Sequence, residues 1–75
     1  MATSFQHAFG AAVRRKRHRL GLSQEGFAER AEIHRTYVSK IESGKVDIGL
    51  MAANRVARAL GLKLSALLRE TETSA

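Results

Sequence analysis

Apolar positions recur at helical spacing in five separate runs along the chain, and residues that start or stop helices bound most of them. Phe5, Phe9, Ala12, Val13 and Leu20 form the first stripe, from Thr3 to Gly21. Thr3 and Gln6 have the spacing of a capping box, and Gly21 supplies a stop. Lys16 interrupts this stripe, so either its stem lies along the apolar face with the ammonium in water, or the stripe rotates there. Gly10 costs about 1 kcal/mol relative to alanine inside a helix, which predicts that another element approaches it closely. Near the other end, Leu50, Ala53, Val56, Ala57 and Leu60 predict a helix from about Gly49 to Leu60, closed by Gly61. Leu64, Leu67 and Leu68 predict a short last helix near Ser65 to Arg69, and the polar tail Glu70 to Ala75 is expected to fray.

The two middle helices are short and sharply bounded. Ser23 is a strong N-cap with Leu22 and Phe27 at the staple positions, and Phe27, Ala28 and Ala31 face inward. Ile33 and Val38 can staple a second start around His34, Val38 and Ile41 point inward, and Gly44 ends the element. Only Ala31 to His34 remain for the turn, too few for a long antiparallel hairpin; the pair fits a helix-turn-helix. Removing the inward positions leaves Arg35, Thr36, Ser39, Lys40 and Ser43 on one outward face, which carries two positive charges and no carboxylate. In a helix-turn-helix that face is presented to the major groove.

Composition narrows the partners. Seventy-five residues make a single domain, 1–75, whose core is only just adequate alone, and no cysteine is present to staple it or to hold a thiolate zinc site. Association of copies is the remaining device. A net charge of +6 favours a polyanion, with five of the basic residues (Arg14, Arg15, Lys16, Arg17, Arg19) in one segment. That run reads either as a solvated face or as a nucleic-acid stripe. Neither a signal-peptide pattern at the start nor an apolar run of about 18 residues is seen, which places the chain in the cytoplasm and off the membrane. His7, His18 and His34 lack metal-ligand spacing, and no phosphate loop, serine elbow or acid pair is visible, so no enzyme, cofactor or metal is expected.

Ser23-Gln24-Glu25, Ala28, the run IHRTYVSKIESG at 33–44 and ALGLKLSALL at 59–68 together resemble the Cro/C1-type (XRE-like) helix-turn-helix family of bacterial and phage regulators. Within it the chain is most similar to the small controller proteins of restriction-modification systems. The resemblance spans residues 9 to 68 and implies an all-α, compact five-helix bundle of the lambda-repressor-like kind, with the helix-turn-helix at 23–44. It implies pairing of Arg17, four residues after Val13, with Glu42 at the end of the recognition helix, and a backbone contact from Gln24. It also implies dimerisation through the last helix, about 63–69, with Leu64, Leu67 and Leu68 at the interface. Two positions depart from the pattern. Glu32 stands where the family commonly has a turn glycine, which forces a positive φ costing on the order of 1 kcal/mol. Gly26 stands where a glutamate often completes a capping box, and this choice has no physical account.

Base contacts are expected from Arg35, bidentate to a guanine, and from Thr36, Ser39 and Lys40. Phosphate contacts are expected from Gln24, Ser43, Lys45 and the amide of Val46; Tyr37 packs its ring inward and extends its hydroxyl toward the backbone. Glu25, Glu29 and Glu32 form an acidic stripe, either plainly solvated or, by similarity to activators, touching RNA polymerase. The function these readings favour is a homodimeric, sequence-specific transcriptional regulator on an inverted repeat in double-stranded DNA, either a restriction-modification controller or a phage-type repressor. An antitoxin, or a protein-interaction module built on the same scaffold, remains open.

Overall fold

The computed structural model describes residues 3–74, which form five α-helices and, among the described residues, no strand: α1 (Ser4–Arg19), α2 (Gln24–Ala31), α3 (Arg35–Glu42), α4 (Leu50–Ala59) and α5 (Leu64–Ser74). Local chemistry accounts for the starts. Thr3 Oγ1 accepts the amide of Gln6 at 3.1 Å while the Thr3 amide donates to Gln6 Oε1 at 2.7 Å, completing the capping box. Ser23 Oγ accepts the amide of Gly26 at 3.0 Å, and Gly49 caps α4 through its backbone. The turn between α2 and α3 carries Glu32 at φ 59, ψ 43, the left-handed state expected of that position.

The helices bury one contiguous core. Phe27, Leu67, Val13, Val38 and Val56 are fully enclosed, with α1 packed on α3 and α5, α2 on α3 and α4, and α4 on α5. Gly10 is where α1 meets the end of α3. A methyl group there would lie 2.8 Å from the carbonyl oxygen of Glu42 and closer still to that of Ile41, both backbone atoms that cannot swing aside. Gly10→Ala is therefore expected to lose about 1–3 kcal/mol of stability in urea unfolding, despite alanine's better helix propensity. A stabilised variant would mean that α1 and α3 separate at no cost.

Several inward assignments are corrected. Phe5 is 43% exposed, Leu20 45% and Leu50 75%. Each lies in the first turn or at the cap of its helix, where the apolar stripe runs past the end of its neighbours. Leu67, expected at a dimer interface, is 0% exposed and belongs to the core of its own protomer.

The C-terminal segment is a second correction. Residues 70–74 continue α5 instead of fraying, and Ala75 lies outside the described residues. Glu70 holds Arg15 at 2.9 Å and Lys16 at 3.1 Å, and those two hydrogen bonds keep its carboxyl below the usual range. Thr71 is buried and satisfies its hydroxyl on the Leu67 carbonyl at 2.8 Å. Lys16 is half-buried and its ammonium ends on Glu70, which gives a lysine in an apolar stripe its partner. No described helix is long and apolar enough to cross a membrane.

Candidate nucleic-acid interface

Helix α3 is anchored by Val38 and Ile41, which are buried, and by Tyr37, whose half-buried ring packs on the core. Those anchors turn Arg35, Thr36, Ser39 and Lys40 outward, and all four are exposed. Beside them, Arg17, Ser23, Gln24 and Glu25 join Arg35, Thr36 and Ser39 around an open polar depression of about 700 Å³ between α2 and α3. This surface combines guanidinium, amide and hydroxyl groups, the set that reads base edges and phosphates, with the carboxylate of Glu25.

A buried ion pair holds the depression's floor. Arg17 Nε and Nη2 donate to Glu42 at 2.6 and 2.9 Å, and Arg17 Nη1 donates to the Leu22 carbonyl at 2.8 Å. The side chains are 8% and 4% exposed. The hydrogen bonding of Arg17 to the Glu42 carboxylate raises the guanidinium above its already high ordinary value, against the opposing effect of burial. One pair therefore ties α1, the start of α2 and the end of α3 together.

Gln24 Nε2 donates to Glu42 Oε1 at 3.2 Å, so its amide is oriented nitrogen-inward with a second N–H to offer. Glu25 reaches Arg35 Nη1 at 3.5 Å with both side chains exposed, and Glu25, Glu29 and Glu32 all lie at the surface. Ser43 Oγ donates to the carbonyls of Ser39 and Lys40 at 3.0 and 3.2 Å. Its hydroxyl proton is used within its own helix, so in this rotamer Ser43 cannot donate to a phosphate. Lys45 is exposed, and no hydrogen bond within the described residues uses the amide of the half-buried Val46.

The family model described as Helix-turn-helix matches residues 13–67. The chain belongs to that family. It is 35% identical over 65 residues to Control protein C.MunI of Mycoplasma sp, which covers 85% of this chain and 88% of that protein. Among solved structures, the restriction-modification controller protein C.AhdI from Aeromonas hydrophila superposes with a TM-score of 0.83 at 31% identity, over 87% of this chain and 98% of that one. The clp gene regulator ClgR from C. glutamicum superposes with a TM-score of 0.88 at 27% identity, over 99% and 95%.

In this helix-turn-helix protein α2 and α3 are the two helices of the motif, and Glu32 is the pivot of the turn. Four features of the surface escape sequence reasoning: the Gln24 to Glu42 bond, the Glu25 to Arg35 pair, the internal bonds of Ser43, and the diversion of Arg15 to Glu70. With Lys16 on the same carboxylate, two cations of the basic run are drawn toward α5. Arg14 and Arg19 of that run stay exposed. A spacing of 18 residues between Gln24 and Glu42 leaves no periodic signal to follow.

Proposed function

We propose that this helix-turn-helix DNA-binding regulator acts as a homodimer on an inverted repeat, placing two copies of α3 in successive major grooves about 34 Å apart. The observation that carries the reading is the outward face of α3, where Arg35, Thr36, Ser39 and Lys40 are all exposed beside an open polar depression. Arg35 reads a guanine, while Thr36, Ser39 and Lys40 take neighbouring base edges or phosphates. Gln24, with one N–H on Glu42 and a second that no hydrogen bond among the described residues uses, contacts a phosphate, as do Lys45 and the Val46 amide, and the Tyr37 hydroxyl reaches the same backbone. The similarity to C.MunI and to C.AhdI supports a role as a restriction-modification controller. Glu25, Glu29 and Glu32 are the acids of the stripe that a polymerase contact would use, in the cytoplasm where the duplex is met.

The second copy docks on an apolar groove of about 290 Å³ lined by Phe5, Leu50, Leu64 and Leu68, among others. Its rim carries the exposed Phe5 and Leu50 that the core of one protomer leaves uncovered. Leu64 and Leu68 remain in this interface, and Leu67 does not. Leu50→Glu should leave the fold intact, because an acid in the first turn suits the helix dipole, yet it should convert a dimer to a monomer in sedimentation. A variant as dimeric as the parent would move the interface elsewhere.

Selection of duplexes from a random pool tests the whole reading. Enriched sequences should hold two inverted half-sites about one helical turn apart, or a multiple of that. A single uninverted site, or no enrichment, would overturn it.

A further inference from the structure

The helix that carries the exposed polar face is closed at its start by an imidazole side chain. His34 Nδ1 accepts the amide of Thr36 at 3.1 Å, and the backbone at φ −73, ψ 144 is that of a cap residue. The next two amides, of Tyr37 and Val38, bond to the His34 carbonyl at 2.9 and 3.2 Å. The Thr36 amide is thus the one in this turn that depends on a side chain. Serine, threonine, asparagine and aspartate, the usual caps, keep their acceptor oxygen throughout the neutral range. An imidazole keeps its acceptor nitrogen only while neutral.

Protonation reverses the interaction. In the imidazolium both ring nitrogens are donors, so N–H would face N–H, and a positive charge would sit at the positive end of a helix dipole beside Arg35. Nothing in contact offsets that charge. Among the described residues no carboxylate lies within ion-pair distance of His34: Glu32, two residues earlier in the turn, is exposed, and Glu25 on α2 is turned to Arg35. The remaining charge at the end of α2, Arg30, is itself positive.

We propose that His34 is a positioning residue that holds the first turn of α3 in DNA-reading geometry only in its neutral form, so that recognition weakens as the ring protonates. The inference rests on α3 being the helix that reads DNA. Arg35 precedes the capped amide and Thr36 carries it, so losing the cap loosens two residues assigned to bases.

The test is the affinity for a selected duplex, at constant ionic strength, from about pH 8 to about pH 5.5, a range that spans ordinary imidazole titration. The parent protein should lose about fivefold across that range, and His34→Asn, whose cap does not titrate, should hold nearly constant. His18→Gln, made because His18 Nε2 lies 3.2 Å from Arg17, should keep the parent's acid loss. A second arm needs no DNA: the thermal midpoint of the parent should fall further below that of His34→Asn as the pH drops. A flat parent profile, tighter binding in acid, or an equal loss in His34→Asn would overturn the inference. Absence of duplex preference at pH 8, with the thermal difference intact, would instead sink the DNA-reading assignment and leave the imidazole cap standing.

Discussion

Replacing Arg17 by alanine is expected to cost about 3–5 kcal/mol, a large fraction of the stability of so small a domain. The reason lies in what stays behind. Glu42, 4% exposed, would keep only the Gln24 amide as partner, and the Leu22 carbonyl would lose its donor. A carboxylate stripped of its counter-ion in that place costs far more than the intact pair contributes. Replacing both residues by apolar ones, Arg17→Met with Glu42→Leu, should therefore recover much of the loss in urea unfolding. A loss below about 1 kcal/mol for the single variant would show that Glu42 swings out to water, and that α1, α2 and α3 are held by their apolar contacts alone.

Arg35→Ala should leave stability nearly unchanged and remove about 1–3 kcal/mol of discrimination at one base pair of each half-site. The side chain is 64% exposed, and its 3.5 Å pair with Glu25 is of the surface kind that contributes little to folding. Its effect should appear in the sequence preference and only secondarily in overall affinity. Lys45→Ala provides the contrast: all duplexes should weaken together, and the dependence of log K on log salt should become shallower by about 0.9. Unaltered base preference in Arg35→Ala would remove Arg35 from the readout and shift it to Ser39 or Lys40.

The two variants probe features that were unequally readable in advance. Thr3 with Gln6, Ser23 before Gly26 and His34 before Thr36 mark helix starts because a cap bonds to an amide two or three residues away. The outward set on α3 follows from the same short range, since helical periodicity relates residues within one or two turns. Family resemblance added the positive φ at Glu32 and the pairing of Arg17 with Glu42, neither of which spacing alone establishes.

The structure departs from the local sequence pattern where an element's fate depends on a distant one. Leu50 and Phe5 share the apolar stripes of α4 and α1 but overhang the bundle, and the spacing of a stripe does not say where the neighbouring helix stops. Residues 70–74 look like a polar tail until Arg15 and Lys16 are brought beside Glu70. Leu67 reads as one of three equivalent leucines, yet it alone of the three is fully buried, while Leu64 and Leu68 line the groove that faces outward.

The amino-acid order by itself determined where the first four helices begin and end, which residues share a face, and that the exposed face of α3 is cationic and free of acids. Those properties depend on hydrogen bonds and side-chain spacing within a few residues. Tertiary structure alone decided which apolar faces are covered, that Gln24 leans on Glu42 and Glu25 on Arg35, and that α5 runs on to Ser74. Those outcomes depend on groups 10 to 55 residues apart in the chain, which meet only when the core closes.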